Sequence, residues 1–210
     1  MRKIGIFGGS FDPIHHGHLR PARETLAALG LDLLLFVPSG SPPHREAPVA
    51  SVAQRLAMLR AAIADEPRFQ VDERELKRQG PSYTVDTLAT LRAEHPGDAL
   101  VLLLGSDAFL GLPGWRRWHE LFRLAHVAVL HRPGWDLKSG GELGEELERR
   151  QAADARAALA RPAGGILLQA VTPQDISSTK VREAAAAGRD LALLVPPPVA
   201  ALISDSHCYA

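Results

Sequence analysis

Short apolar runs alternate with helical patterns along the whole chain, and this alternation limits the fold more than any other feature. Ile4-Gly5-Ile6-Phe7, residues 33–37, 69–71, 99–104, 127–130 and 166–168 are the strand candidates. Between the first two, Leu19, Ala22, Leu26 and Leu29 recur three or four residues apart, the spacing of one helix face. Ser51 opens the next helix, with Gln54 three residues on as a capping box and Val52, Leu56, Leu59 and Ile63 as its apolar stripe. Residues 83–91, 143–159 and 179–187 read as further helices, the last and final one stopped by Gly188. Residues 99–104 hold no polar side chain, as expected of a strand covered on both faces. Such alternation predicts parallel strands joined by right-handed crossovers. The expected fold is therefore α/β, a Rossmann-like open parallel sheet with helices on both faces, in a single domain spanning residues 1–210. Ligands of such sheets sit at the carboxyl ends of strands, so the loops there are the places to search.

Composition narrows the function classes. Lysine plus arginine number 24 and so do aspartate plus glutamate. A neutral chain has no global field to hold nucleic acid or an anionic membrane, and an anionic ligand must be caught by a local cluster. One cysteine excludes an intrachain disulfide and suits a reducing cytoplasm. Arg2 and Lys3 are followed by a strand and a chemistry-bearing loop, not by the apolar core of a signal peptide. The longest apolar run is too short to span a bilayer. A cytoplasmic protein that binds neither nucleic acid nor membrane is expected.

The loop after the first strand is Gly8-Gly9-Ser10-Phe11-Asp12-Pro13-Ile14-His15-His16-Gly17-His18. A strand here runs into a glycine-rich turn and then into a helix whose first residues carry imidazoles. Helix starts offer backbone N–H groups and a positive dipole end, and glycines let a phosphate approach without a Cβ in the way. His15 and His18, about one turn apart, can face one anion. The glycine spacing does not fit G-x-G-x-x-G, and no Gly-Lys-Ser/Thr follows, so neither a dinucleotide fingerprint nor a P-loop is present. The lone Cys208 is far away and no H-E-x-x-H occurs, so no protein-held metal is expected.

A second motif, Ile176-Ser177-Ser178-Thr179-Lys180-Val181-Arg182, starts the last helix. N-capping explains one hydroxyl. It does not explain Lys180 and Arg182, because cations in a first turn oppose the dipole unless an anion sits there. Gly105-Ser106-Asp107 ends the buried strand, where an acid commonly meets a ribose hydroxyl, a metal or simply a helix cap. Trp115 and Trp118 follow a Gly/Pro loop, one suited to the core and one to stacking on a planar ring. Tyr83, Thr84 and Arg132 are ambiguous by themselves.

Together these residues resemble the nucleotidyltransferases with an H-x-G-H and an I-S-S-T-x-x-R motif. Pro42-Pro43-His44-Arg45, Gly80-Pro81-Ser82-Tyr83-Thr84-Val85-Asp86-Thr87, Gly105-Ser106-Asp107 and the tryptophan loop with His131-Arg132-Pro133-Gly134 are similar to the bacterial nicotinate-nucleotide adenylyltransferases among them. Ser10 departs from the threonine of many members but keeps the hydroxyl, and Val181 is a small aliphatic change. The resemblance covers nearly the whole chain. It implies transfer of the adenylyl group of ATP to nicotinate mononucleotide in NAD biosynthesis, with magnesium held mainly by the ATP phosphates. It implies catalytic roles for His15, His18 and Arg182. It also implies ATP contacts at Gly8, Gly9, Ser10, Phe11, Gly105, Asp107, Ile176 and Ser178. Mononucleotide contacts are implied at His44, Tyr83, Thr84, Trp115 and Arg132. The alternatives are a pantetheine-phosphate adenylyltransferase, which is usually shorter and lacks the tryptophan loop, and a non-catalytic nucleotide sensor, which would be expected to lose an imidazole or the basic helix start.

Overall fold

The computed structural model describes residues 1–40, 47–132 and 140–209. The chain runs β1 (Lys3–Gly9), α1 (His16–Ala28), β2 (Leu33–Pro38), α2 (Val52–Ile63), β3 (Phe69–Val71), α3 (Arg74–Lys77), α4 (Thr84–Glu94), β4 (Ala99–Gly105) and α5 (Ser106–Leu110). It continues through α6 (Trp118–Leu124), β5 (His126–His131), α7 (Gly141–Arg150), α8 (Ala155–Ala158), β6 (Ile166–Ala170), α9 (Ser178–Ala186) and α10 (Pro197–Ser206). The strands form one parallel sheet in the order β3-β2-β1-β4-β5-β6. Register is set by pairs such as Ile4 with Leu100, Leu102 with Val127 and Val129 with Leu168. The order reverses between β1 and β4, as in doubly wound folds. No helix among the described residues is long and apolar enough to cross a membrane.

The chain divides into two compact units, and it passes between them within β1, α1 and β2. The first comprises Met1–Phe7, Glu24–Leu34 and Tyr83–Thr172. Its core is Ile4, Ile6, Leu88, Leu91, the whole run 99–104, Val127 to Val129 and Ile166, all buried. Gly5 permits this packing, since a Cβ there would lie 2.8 Å from Leu31 Cδ1. Arg92 is spread over backbone carbonyls of Leu124, His95, Asp98 and Pro162. His126, fully buried, uses one ring nitrogen on the Arg161 carbonyl at 2.9 Å and the other on the Gly165 N–H at 3.0 Å.

The second unit comprises Gly8–Arg23, Leu35–Ser82 and Pro173–Ala210. Helix α2 packs on α10, burying Met58, Leu59, Ala62 and Ile63 with Val199 and Ile203. The capping box forms as expected: Ser51 Oγ accepts the Gln54 N–H at 3.3 Å, and Gln54 Oε1 accepts the Ser51 N–H at 2.9 Å.

Three expectations need correction. Val52 is 45% exposed, and Arg55 joins the buried stripe of α2 in its place, so the inward face is rotated from the one the aliphatic residues suggest. Residues 143–159 are not one helix. Gln151 bridges to Ile166, the Ala152 N–H donates to the Ile166 carbonyl at 2.9 Å, and α8 restarts under an Asp154 cap. Helix α9 is not the last one, because α10 follows, with proline at its start where the lost N–H has no intrahelical partner anyway.

Candidate active site

In the second unit, β1 ends in Gly8 and Gly9 and α1 begins at His16. Phe11 holds φ +47°, a left-handed conformation uncommon outside glycine and frequent at functional loops. Its buried ring meets His18 edge-on, 5.2 Å between centroids, and Phe36 at 5.7 Å. A Cβ on Gly9 would come within 3.1 Å of that ring. Phe11 therefore supports His18 with its side chain as well as shaping the loop. The His15 and His18 rings lie face to face, 3.8 Å between centroids and 31° apart. His15 is only 4% exposed, and its Nδ1 has no hydrogen-bond partner among the described residues. Burial, helped by the adjacent His16, pushes its pKa down to about 4. At neutral pH it is an uncharged imidazole. The first α1 amides are partly spoken for: His16 donates to the Leu194 carbonyl and His18 to the His15 carbonyl. The start of α1 therefore does not hold all of its first amides open.

Gly17 explains why a glycine stands between the histidines. A Cβ there would lie 2.9 Å from the His15 ring and 2.9 Å from the Ile176 carbonyl oxygen. The segment leading into α9 thus packs directly on the histidine turn. Ser178 Oγ donates to the Pro13 carbonyl at 3.1 Å, and Arg182 Nη1 donates to the Asp12 carbonyl at 2.9 Å. Arg182 Nη2 reaches Thr179 Oγ1 at 3.3 Å. Ser177 is the N-cap, accepting the Lys180 N–H at 3.2 Å. Lys180 pairs with Asp175 at 2.5 Å, so its charge is offset within the protein. Of the two cations that seemed to require an anion, only Arg182 stands on the glycine loop. Gly8, Gly9, Ser10, Phe11, His15, His18, Ile176, Ser178 and Arg182 are all in this unit.

The remaining described site residues belong to the first unit. Gly105 is the N-cap of α5 and Asp107 lies in its first turn, while Ser106 Oγ turns inward to the Leu130 carbonyl at 3.0 Å. Open space surrounds Gly105. Tyr83 is the N-cap of α4 and Thr84 its first residue, and no side chain among the described residues caps that start. The Arg116 guanidinium lies over the Tyr83 ring, 4.7 Å from its centroid. The two tryptophans separate as expected: Trp118 is buried against Phe122, and Trp115 is half-buried on its loop. Arg132 is exposed just past β5. His44 lies outside the described residues.

Residues 6–184 match the cytidylyltransferase-like family. A probable nicotinate-nucleotide adenylyltransferase of Halorhodospira halophila is 51% identical over 209 residues, covering 100% of this chain and 96% of its own. The chain belongs to the nicotinate-nucleotide adenylyltransferase family. A probable member from Pseudomonas putida (strain W619) is 46% identical over 210 residues, covering 100% and 95%. The solved nicotinic acid mononucleotide adenylyltransferase of Plasmodium falciparum, complexed with NaAD, shares the fold with a TM-score of 0.72 at 18% identity, covering 100% of this chain and 98% of that one.

This member of the adenylyltransferase family also has three polar residues at the site that the motifs did not single out. Arg55, 2% exposed, donates from Nη1 to the carbonyls of Ser10 (2.7 Å) and Ser39 (3.0 Å). Its Nε has no partner among the described residues. Burial lowers its pKa, and the nearby Asp12 carboxylate works against that. Asp12 and Tyr209, both buried, share a hydrogen bond. A signal for Arg55 was present in the spacing: it stands four residues before Leu59, in an otherwise apolar stripe. Nothing in the sequence pointed from Tyr209 to Asp12. Among the described residues no group of three or more His, Cys, Asp or Glu could hold a metal ion.

Proposed function

We propose that this chain transfers the adenylyl group of ATP to nicotinate mononucleotide, forming nicotinate adenine dinucleotide and pyrophosphate in cytoplasmic NAD biosynthesis. The observation that carries the reading is the stacked His15–His18 pair, His15 buried, joined through Gly17 to the start of α9. An oxygen of the mononucleotide 5′-phosphate attacks the α-phosphorus of ATP, and the bond from that phosphorus to pyrophosphate breaks. Negative charge spreads over the phosphate oxygens, and preorganised donors in a dry site stabilise it without reorganising. Two stacked imidazolium rings would repel each other, so a neutral His15 lets the pair remain stacked before substrate arrives. Arg182 supplies the permanent cation. Magnesium, carried by the triphosphate and water, neutralises phosphate charge when bound, and a phosphate-held ion needs no cage of protein carboxylates.

In this reading Gly8, Gly9, Ser10, Phe11, Ile176 and Ser178 shape the nucleotide pocket, and Gly105 and Asp107 meet the adenosine ribose. Tyr83 and Thr84 offer backbone N–H groups to the nicotinate carboxylate, and Trp115 stacks on the pyridine ring. His44 and Arg132 serve the mononucleotide phosphate. An amide in place of the carboxylate sets a donor against a donor, and a buried unsatisfied group costs about 1–3 kcal/mol. Pyrophosphate release from ATP with nicotinate mononucleotide, nicotinamide mononucleotide and phosphopantetheine tests this. The acid is expected to be used best, the amide roughly tenfold to hundredfold less well, and phosphopantetheine not at all. Equal use of acid and amide overturns the nicotinate assignment, and preference for phosphopantetheine overturns the acceptor class.

A further inference from the structure

The Asp12 carboxylate is buried and held from several sides. Oδ2 accepts the Val49 N–H at 2.7 Å. Oδ1 accepts the Ala50 N–H at 3.0 Å and the Tyr209 hydroxyl at 2.7 Å. Arg182 Nη1 lies 4.0 Å from Oδ2, short of a hydrogen bond, while the same Nη1 donates to the Asp12 backbone carbonyl at 2.9 Å. Arg182 thus rests on a neutral carbonyl with a full carboxylate just out of reach. A direct Arg–carboxylate pair, ionised on both sides, is the stronger contact. Something must hold the carboxylate away. The two loop amides and the Tyr209 hydroxyl do so by occupying both of its oxygens. Arg55 beside it supplies a second positive charge, so two cations face one carboxylate and positive potential is left over for an anion. Burial and Asp12 push the Tyr209 phenol well above its ordinary range, so it remains a donor throughout the physiological range.

We infer that Tyr209, near the C-terminal end of this chain, is a positioning residue: by engaging Asp12 it keeps the carboxylate off Arg182 and leaves the guanidinium available to the phosphates of ATP. This rests on the assignment of Arg182 to those phosphates. Removing the hydroxyl in Tyr209→Phe keeps the ring and its packing. Oδ1, then held by the Ala50 N–H alone, lets the carboxylate shift toward Arg182, and the pair closes.

ATP titration by calorimetry, with steady-state kinetics for both substrates, tests the idea on wild type, Tyr209→Phe, Arg182→Ala and the double variant. Tyr209→Phe is expected to weaken ATP binding about tenfold, the scale of one impaired charged hydrogen bond. The KM for nicotinate mononucleotide should stay unchanged. In the Arg182→Ala background the same substitution should change ATP affinity less than twofold. Fluorotyrosine placed at 209, a donor of nearly the same shape, should restore the wild-type value. An equal fold-change in both backgrounds overturns the inference, because a merely structural role acts without Arg182. So does unchanged ATP affinity in Tyr209→Phe, and so does a loss in fluorotyrosine protein equal to that in the phenylalanine variant. If the wild type binds ATP yet makes no dinucleotide, the functional reading falls while the titration still decides the role of Tyr209. A wild type that binds no ATP overturns both.

Discussion

Arg92 in the first unit and Arg55 in the second are both pulled down in pKa by burial, yet they are treated differently. Arg92 uses Nε, Nη1 and Nη2, each on a backbone carbonyl. Arg55 uses Nη1 only, and its Nε has no partner among the described residues. The histidines repeat the contrast. His126 commits both ring nitrogens to backbone groups, whereas His15 Nδ1 has no partner among the described residues. A buried polar group with all its bonds made holds a scaffold together, and one left short needs an explanation such as a missing ligand. In the first unit Arg92 and His126 have their bonds made within the protein, although Thr25 Oγ1 there lacks a partner among the described residues. The polar core of the second is completed, in our reading, by phosphate.

If this contrast is right, removing an under-partnered group of the second unit should strike turnover, and removing a fully bonded one of the first, such as Arg92, should strike stability. The largest effect is expected for His18→Ala, a loss of about 10²–10³ in kcat, the usual result of removing one preorganised transition-state donor. Circular dichroism should show the fold retained. A folded variant with wild-type turnover would break the comparison.

His15 should also mark the second unit by its pH response. Its pKa falls from 6.5 to about 4 in the folded chain, so the unfolded chain accepts a proton that the folded one refuses. The stability tied to this is complete above pH 6.5 and declines as pH falls toward 4. Wild type should lose up to about 3 kcal/mol more than His15→Asn across that window. Urea unfolding at several pH values measures it, and His126, present in both proteins, cancels. Parallel curves for the two proteins would show that His15 is not held neutral by its surroundings.

Arg92→Met should show the opposite signature. Loss of its fan of hydrogen bonds leaves carbonyls short of donors and should cost about 2 kcal/mol of stability. Turnover well below the melting temperature should be unchanged. A fall in kcat larger than the fall in folded fraction would mean that the first unit is not merely scaffold at this position. The smallest effect is expected from Asp154→Ala, which removes the N-cap of α8. About 1 kcal/mol of stability should go, with no change in turnover. A melting temperature equal to wild type would show that the cap bond carries nothing there.

Much of this was legible in the residues. The Ser51–Gln54 box marked the start of α2, and Gly188 marked the stop of α9, where it adopts φ +62°. The apolar run 99–104 announced a strand covered on both faces, and all six of its residues are buried. The two motifs pointed to one shared place by residue type, and the structure packs them together through Gly17 and Arg182. What periodicity missed has a common cause. The break at Gln151 exists because Ile166, distant in sequence, takes its backbone as a partner. The spacing put Arg55 on the inward stripe, but what it does there shows only once the carbonyls of Ser10 and Ser39 are seen to accept from it. Lys180 argued for an anion only until Asp175 supplied one from within the chain.

The sequence by itself determined the parallel α/β fold and the kinds of group brought to the chemistry, because strand and helix periods and helix-start preferences are local properties. Tertiary structure alone decided what those groups are at neutral pH and what they face. His15 is uncharged because burial removes the water that would solvate its cation. Arg182 stays on a carbonyl because residues 49, 50 and 209 hold the Asp12 carboxylate elsewhere. Desolvation and competition for a hydrogen-bond acceptor belong to the surroundings of a residue, and distant segments of the chain make those surroundings only when it folds.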